Sequence, residues 1–313
     1  MTSCDSVQLI ENAAWRAGRP TLSVLIPFFG DDPRALLSAV DRQAARLGGA
    51  VEVVICDDGT RDPCLPRSVA EHLNTLALPA RLIRLSCNEG RAKARNRLAR
   101  RARGSYLLFL DADMLLGADF LSRWLHTARK LGPAVACGGF LVGEVSEAAD
   151  TRLHHALTRR SDCLPAIRRN RAPEKYVCTS NLLVRRDVFD AEGFDEGFHG
   201  WGWEDVEWGV RVSRRWPVLH LDNPAHHQGL ATVSALARKY EQSTANFARL
   251  AAAHPDAVAR FPSFRAARLL KHTPLRSLWR PMLRALAESS LAPLRCRTLA
   301  LKAYRAGLYS EVV

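Results

Sequence analysis

No two of the eight cysteines form a C-x-x-C pair; they are scattered at 4, 56, 64, 87, 137, 163, 178 and 296. That spacing indicates neither a zinc site nor a disulfide framework. Cys56 and Cys137 sit in apolar, strand-like contexts, so buried free thiols in a reducing compartment are expected. There is no G-x-G-x-x-G run and no Gly-Lys-Ser/Thr loop, which removes the fingerprints of dinucleotide oxidoreductases and P-loop ATPases. No apolar run reaches the roughly 18 residues of a membrane span. Met1-Thr2-Ser3-Cys4-Asp5-Ser6 lacks the basic-then-apolar pattern of a secretory signal. The expected location is therefore cytoplasmic. Acidic residues are few: 32 Asp plus Glu against 45 Lys plus Arg, a formal net charge of +13. This balance suits an acidic partner, whether nucleic acid, an anionic membrane surface or a phosphate-bearing substrate.

The chain has 313 residues, 47% of them hydrophobic. That is enough to bury a core in one large α/β domain with an appendage, or in two modest domains. Apolar runs at 22–27, 51–56, 81–85 and 106–110 read as strands, and helical spacing fills 34–47, 66–76 and 91–103. The alternation predicts an α/β fold with a mostly parallel central sheet flanked by helices. Residues 1–20 read as a short leader with one helical turn around 10–15. A strand whose Gly138-Gly139 marks a bulge or a close backbone approach is expected over 134–142, and a helix near 148–160. From about 231 the chain turns helical and basic: 231–313 holds fourteen Lys plus Arg against four Asp plus Glu, an excess of ten. Pro262, Pro274, Pro281 and Pro293 exclude one long helix there.

Chemistry-bearing residues gather at the predicted strand ends, the ligand edge of an open α/β sheet. The run Tyr106-Leu107-Leu108-Phe109-Leu110 leads into Asp111-Ala112-Asp113. One carboxylate can face a hard divalent cation, and the other a sugar or ribose hydroxyl. Asp57-Asp58-Gly59-Thr60 can accept from a base imide and a ribose hydroxyl, or form an Asx turn. Gly90 opens a basic helix whose first N–H groups, with Arg95 one turn in, can hold a diphosphate. Trp201-Gly202-Trp203-Glu204-Asp205 offers indole walls for a pyranose and, at a helix start, a carboxylate placed as general base. His226 or His227 can add one nitrogen ligand to an oxygen-rich metal site.

Over about residues 21–230 these ordered features resemble the inverting, nucleotide-sugar-dependent glycosyltransferases of family 2, which have the GT-A fold. The resemblance rests on Ser23-Val24-Leu25-Ile26-Pro27, Val54-Ile55-Cys56-Asp57-Asp58-Gly59-Thr60, Asn88-Glu89-Gly90 with Ala94-Arg95-Asn96, Leu110-Asp111-Ala112-Asp113, Gly193-Phe194-Asp195-Glu196 and Trp201-Gly202-Trp203-Glu204-Asp205. The last segment is similar to that of chondroitin-polymerase-like and galactosyltransferase-like enzymes. The resemblance implies that Pro27 and Phe28 border the nucleotide and that Asp57 or Asp58 reads the base. It places Arg95 near the phosphates, counts Asn88, Gly90 and Asp111 of the Asp-x-Asp signature among the donor-binding residues, and lets Asn181, Trp201 and Trp203 touch donor or acceptor. Asp113 would bind the metal directly, Mn²⁺ or Mg²⁺, with His226 or His227. Asp205 would be the base and Glu204 its acceptor-binding neighbour.

The implied division is a leader (1–20), a nucleotide-sugar-binding half (21–137), an acceptor-binding and catalytic half (138–230) and a helical basic extension (231–313). The implied partners are a nucleotide-diphosphate sugar, UDP-linked by expectation, and a glycan or lipid-linked acceptor. An anionic membrane on the inner face of the cell is a further partner, through the extension. Two rival readings remain. A nucleic-acid-binding protein fits the charge, but carboxylates at the ligand edge would repel a phosphate backbone, so no nucleic-acid partner is expected. A nucleotidyltransferase acting on sugar phosphates would share the paired acids, but Pro27-Phe28-Phe29-Gly30 is not a triphosphate loop.

Overall fold

The computed structural model describes residues 6–16, 18–143 and 151–313, without the side chains of 276 and 277. In chain order its strands are β1 (Val7–Glu11), β2 (Leu22–Phe28), β3 (Val51–Asp57), β4 (Ala80–Leu85), β5 (Tyr106–Leu110), β6 (Met114–Leu115), β7 (Val135–Cys137), β8 (Phe140–Val142), β9 (Asn181–Arg185), β10 (Val218–His220) and β11 (Ala225–His227). The helices of the first two thirds are α1 (Arg34–Ala44), α2 (Cys64–Leu73), α3 (Arg91–Arg101), α4 (Phe120–His126), α5 (Arg152–Ser161), α6 (Ala166–Arg169), α7 (Arg186–Ala191) and α8 (Glu204–Val212). The last third is helical: α9 (Val233–Ala253), α10 (Pro255–Val258), α11 (Pro262–Leu270), α12 (Arg276–Glu288) and α13 (Leu294–Tyr309). The prolines act as expected: Pro255 and Pro262 start helices and Pro293 precedes one, while Pro281 is accommodated inside α12.

Eight strands form the main sheet in the order β1-β4-β3-β2-β5-β9-β7-β10. The block β4-β3-β2-β5 is parallel, as is β7-β10, whereas β9 runs antiparallel to both β5 and β7. The mainly parallel α/β sheet follows from strands that are apolar on both faces. Along β2, Val24 and Ile26 join the core shared with α1, α2 and α4, and Leu25 joins the core shared with α3, α7 and α8. All four parallel strands of the block deliver their loops to the same edge, so 57–60, 86–90 and 111–113 meet there.

Three expectations change. Residues 10 and 11, expected to open a helical turn, instead end an edge strand over 7–11, antiparallel to β4 with Val7 opposite Leu85. The short run Val-Gln-Leu-Ile-Glu finds its hydrogen bonds only once β4 exists. Buried Asn12 locks the strand, donating to the carbonyls of Leu76 (3.1 Å) and Leu78 (2.9 Å) and accepting from the Ala80 amide (3.0 Å). The strand expected over 134–142 is two strands in different sheets. β7 stays in the main sheet, and β8 enters a three-stranded sheet ordered β6-β11-β8. Gly138 marks the transfer: a Cβ there would lie 2.3 Å from Asn181 Nδ2 and 2.5 Å from the Asn223 carbonyl. Finally, Cys87 is disulfide-bonded rather than a free thiol, a pairing that local cysteine spacing does not encode. The start of the helix expected at 148 falls outside the described residues.

Candidate active site

At the ligand edge, β3 and β4 are fastened to each other before any ligand is considered. The Asp58 carboxylate accepts the amides of Glu89 (2.8 Å) and Gly90 (3.0 Å), and Asn88 Nδ2 donates to the Asp58 carbonyl (3.1 Å). Burial pushes the Asp58 carboxyl up to about 6, with the two amides opposing that shift. Gly59 has a φ of +74°, and a Cβ on it would lie 2.3 Å from the Cys87 carbonyl carbon, so only glycine fits this crossing. Asp58 is thus a latch between loops, its two oxygens already engaged; this corrects its expected place against a base. Asp57 accepts the Thr60 amide (2.9 Å) with its other oxygen 3.6 Å from Arg84 Nε. Pro27 is partly buried at the end of β2. The Phe28 ring is in the core, not beside a ligand; Phe29, which the sequence reading passed over, is the one exposed, at 46%.

Arg95 departs furthest from expectation. It lies on the inner face of α3, only 1% exposed, and its guanidinium bridges two acids that follow different strands and loops. Nη2 donates to Asp111 Oδ1 (3.0 Å) and Nη1 to Glu204 Oε1 (3.2 Å). Nε has no partner among the described residues. Burial alone would lower the Arg95 pKa, but Asp111, Glu204 and Asp205 outweigh it and raise it. Burial would likewise raise Asp111, yet Arg95 and Arg91 hold it below the ordinary carboxylate range. A buried pair of this kind costs desolvation, and removing one partner strands the others. Arg95 is therefore a clamp between the acid of the Asp-x-Asp turn and the acid at the start of α8, rather than a side chain open to a diphosphate.

The clamp sets Asp205 beside the same cleft. Burial, then the neighbouring Glu204 charge, pushes the Asp205 carboxyl up to about 7, with Arg95 opposing. A carboxylate near neutrality is suited to take a proton from a hydroxyl at physiological pH. On the other side, Asp113 Oδ2 stands 3.4 Å from His227 Nε2. The register of the small sheet makes this choice between the two histidines: His227 is opposite Met114 in the antiparallel β6–β11 pair. His226 alternates to the other face and is exposed, so the structure brings only one of the pair to the acid.

Asp113 and His227 offer an oxygen and a nitrogen donor, and no third His, Cys, Asp or Glu completes a cluster among the described residues. A Cβ on Gly229 would sit 2.3 Å from Asp113 Oδ2 and 2.8 Å from His227 Cε1, so glycine keeps the space between them open. Two protein donors, with water and phosphate oxygens for the rest, fit a Mg²⁺ or Mn²⁺ site. Lys239 of α9 was missed in the sequence. Burial and then Arg91 lower its ammonium below the usual lysine value, against the pull of Asp113, Asp31 and Asp111. Its charge therefore faces the acidic cleft. Nothing local marks it, because α9 is reached only after the whole sheet is complete. His154 is held neutral, pushed down to about 4 by burial and then by Lys239; its Nδ1 accepts the Ala231 amide at 2.8 Å.

The Trp-rich loop also differs from expectation. Trp203 is not a sugar platform: its indole lies against Phe247 (5.0 Å between ring centroids), Phe261 and Tyr309, and its N–H donates to Tyr309 Oη at 3.1 Å. It holds a left-handed φ of +76° directly before Glu204, a conformation costly for a bulky residue. Trp201 is partly buried, 6.3 Å from the Tyr240 ring and 5.8 Å from Lys239 Nζ, which leaves it near the cleft. Asn181 is fully buried and satisfied. It accepts Trp124 Nε1–H (3.0 Å) and donates to the carbonyls of Gly139 and Asn223 (2.8 Å each), so it joins the two sheets and touches neither donor nor acceptor. Gly193-Phe194-Asp195-Glu196 is structural too: Asn96 of α3 exchanges hydrogen bonds with the Phe194 backbone, and Arg249 of α9 pairs with Asp195.

Comparison with known proteins agrees with this arrangement. The pattern described as Glycosyl transferase family 2 matches residues 23–193. An uncharacterized glycosyltransferase, YfnE of Bacillus subtilis, is 25% identical over 61% of this chain and 59% of its own length. Validoxylamine A glucosyltransferase of Streptomyces hygroscopicus is 30% identical over 62% of this chain and 48% of its own. The chain thus spans about half the length of these relatives. Among solved structures, Staphylococcus aureus TarS 1–349 has a TM-score of 0.52 at 14% identity, covering 93% of this chain and 90% of that one. The Pyrobaculum calidifontis mannosyltransferase PcManGT, in complex with GDP-Man and Mn²⁺, has 0.51 at 18% identity, covering 95% and 88%. Those two share the fold, which is the GT-A type expected. With the family pattern covering more than half of the sequence and the Asp-x-Asp and Glu-Asp acids clamped into one cleft, the chain belongs to glycosyl transferase family 2.

Proposed function

We propose that the protein is an inverting, metal-dependent glycosyltransferase. It would transfer a sugar from a nucleotide-diphosphate sugar, UDP-linked in our reading, to a hydroxyl of a glycan or lipid-linked acceptor. The observation that carries this reading is the buried Arg95 guanidinium between Asp111 and Glu204. It joins the donor-side turn to the acid pair that holds the base. TarS has been solved with UDP-GlcNAc and PcManGT with GDP-Man and Mn²⁺, which supports a nucleotide-sugar donor and a divalent ion.

The chain's own residues then take these roles. Asp205 accepts the proton of the acceptor hydroxyl as its oxygen attacks the anomeric carbon from the face opposite the leaving diphosphate. With one base assigned and no second carboxylate as nucleophile, the displacement is single and inverts the configuration. Glu204, held by Arg95, orients the acceptor. Lys239 and Arg91 offset diphosphate charge, the task the sequence had given to Arg95. Asp57 remains the base reader. Asp113 and His227 would hold the cation, which when bound supplies Lewis-acid stabilisation of the leaving group. Trp201 lines the sugar side. Peripheral attachment to an anionic membrane through the C-terminal helices would bring a lipid-linked acceptor within reach.

The test is hydrolysis and transfer across a panel of nucleotide sugars with Mn²⁺, repeated with Asp113→Ala and Asp205→Asn. At least one donor should be turned over, and both variants should lose that activity. Turnover that survives Asp205→Asn, or a product linkage that NMR assigns as retained, overturns the reading.

A further inference from the structure

The C-terminal helices present an apolar surface that the catalytic cleft does not use. On α12, Leu278, Met282 and Leu286 are exposed at 61%, 70% and 42%. They stand at i, i+4 and i+8, so they form one stripe along the helix. Leu269 of α11, Leu275 before α12, and Leu291, Leu294 and Leu299 at and within α13 are exposed as well. Among the described residues, eight of the fourteen large exposed hydrophobic side chains thus fall between 269 and 299, whereas scattered single ones are the usual pattern. Beneath the stripe is a groove of about 590 Å³, lined by Leu270, Trp279, Met282, Leu283, Leu286 and Ala303. That volume lies in the ~300–1,000 Å³ range of sites that hold a small apolar molecule.

The charge around this surface is mainly basic. Arg268 and Lys271 flank Leu270, Arg295 follows Leu294, and Lys302 precedes Ala303; all four basic side chains are exposed. The acids nearby are each paired with an arginine. Glu311 pairs with Arg280 at 2.8 Å, and Glu241 and Glu288 pair with Arg284 at 2.8 and 3.1 Å. The opposite side of α12 is anchored: Ala287 and Leu283 pack into the core shared with α9 and α13. No helix among the described residues is long and apolar enough to cross a membrane.

We propose that this face of α11, α12 and α13 docks on an anionic lipid bilayer. The Leu278–Met282–Leu286 stripe enters the interface, the groove takes up acyl chain, and the arginine and lysine rim meets the headgroups. A second copy of this chain is a poor occupant, because a self-complementary contact would set two basic rims against each other. A nucleic acid would use the rim but leave the leucines in water. The inference rests on the membrane attachment proposed above but not on sugar transfer. It adds which helices insert, and it places them on the core that also seats Trp201 beside the cleft.

Flotation of the full chain with phosphatidylcholine vesicles, with and without phosphatidylglycerol, tests it. We expect recovery with the anionic vesicles at low salt, and loss with neutral vesicles or at 1 M salt, where charges are screened beyond ~3 Å. The triple variant Leu278→Ser, Met282→Ser, Leu286→Ser should reduce recovery at least tenfold. Arg268→Glu with Lys302→Glu should act through the salt-sensitive component. Both variants change exposed side chains, so nucleotide-sugar hydrolysis should persist and certify the fold. Wild-type protein that ignores anionic vesicles at low salt overturns the proposal. So does a triple variant recovered like wild type, or a dimer that dissolves with the triple substitution. Vesicle binding without hydrolysis of any nucleotide sugar would instead sink the transferase reading and leave this one standing.

Discussion

The two sides of the cleft are held in place by different physics. On the donor side, the loops after β3 and β4 are fixed by short polar links, the Asp58 carboxylate on two amides and Gly59 against Cys87. On the acceptor side, the acids at the start of α8 are fixed from behind by rings. Trp203 is seated among Phe247, Phe261 and Tyr309, the last two of which follow Glu204 by more than fifty positions. The comparison teaches that the loops after β3 and β4 are fixed within the sheet edge, while the proposed base depends on the C-terminal helices for its position. Arg95 is the one group that both sides share.

Four outcomes would sharpen or break that contrast. Asp205→Asn should have the largest effect, lowering kcat ~10²–10⁴-fold as loss of a general base does, with UDP binding unchanged by calorimetry. In the wild type, activity should rise with pH to about 7, as Asp205 loses its proton, and the residual activity of the variant should lack that limb. The same raised pKa means that the Asp205 contribution to stability is full below its unfolded value and is lost as pH rises through about 7. Asp205→Asn should therefore denature no earlier than wild type at pH 8.

Trp203→Ala should come next, destabilising by ~3–5 kcal/mol in urea titration as a large ring leaves a packed site. It should lower kcat more than it raises donor KM, and Trp203→Phe should recover most of both. Asp58→Ala should do the reverse, costing ~1–3 kcal/mol for the two freed amides and raising donor KM while kcat holds. If Trp203→Ala weakens nucleotide binding as much as Asp58→Ala does, the two sides are not separately held. The smallest expected effect separates the histidines. His227→Ala should raise the Mn²⁺ needed for half activity at least tenfold, read by titration and by Mn²⁺ relaxation of water protons. His226→Ala should leave it within twofold.

Much of the sheet was legible because its strands are apolar on both faces and each ends in polar or glycine residues; β2 to β5 fall within a residue or two of their expected bounds. The gathering of acids was legible as well, since Asp111 follows a strand end and Glu204 opens a helix, and the fold brings both to Arg95. What the sequence hid was partnership over long separations. Arg95 reads as a phosphate contact at the start of a basic helix, because the acids that bury it stand 16 and 109 positions away. Trp203 reads as an open platform because the rings that cover it arrive with α9, α11 and α13. Asn181 resembles a ligand contact because an amide between two sheets and an amide toward a sugar look alike in one dimension. Val7–Glu11 was missed for the same reason, having no pairing until β4 is made.

The paired histidines of β11 show how narrow such placement is. Nothing in their chemistry distinguishes them, and the ladder with β6 alone decides which imidazole meets Asp113. An insertion or deletion of one residue between β10 and β11 would turn the whole strand over. His226 would then take the place of its neighbour, and Ala225, now in the core, would exchange sides with it. The site is thus written into the strand's register as much as into its residues, since the same slip would carry Gly229 out of the space it leaves beside Asp113.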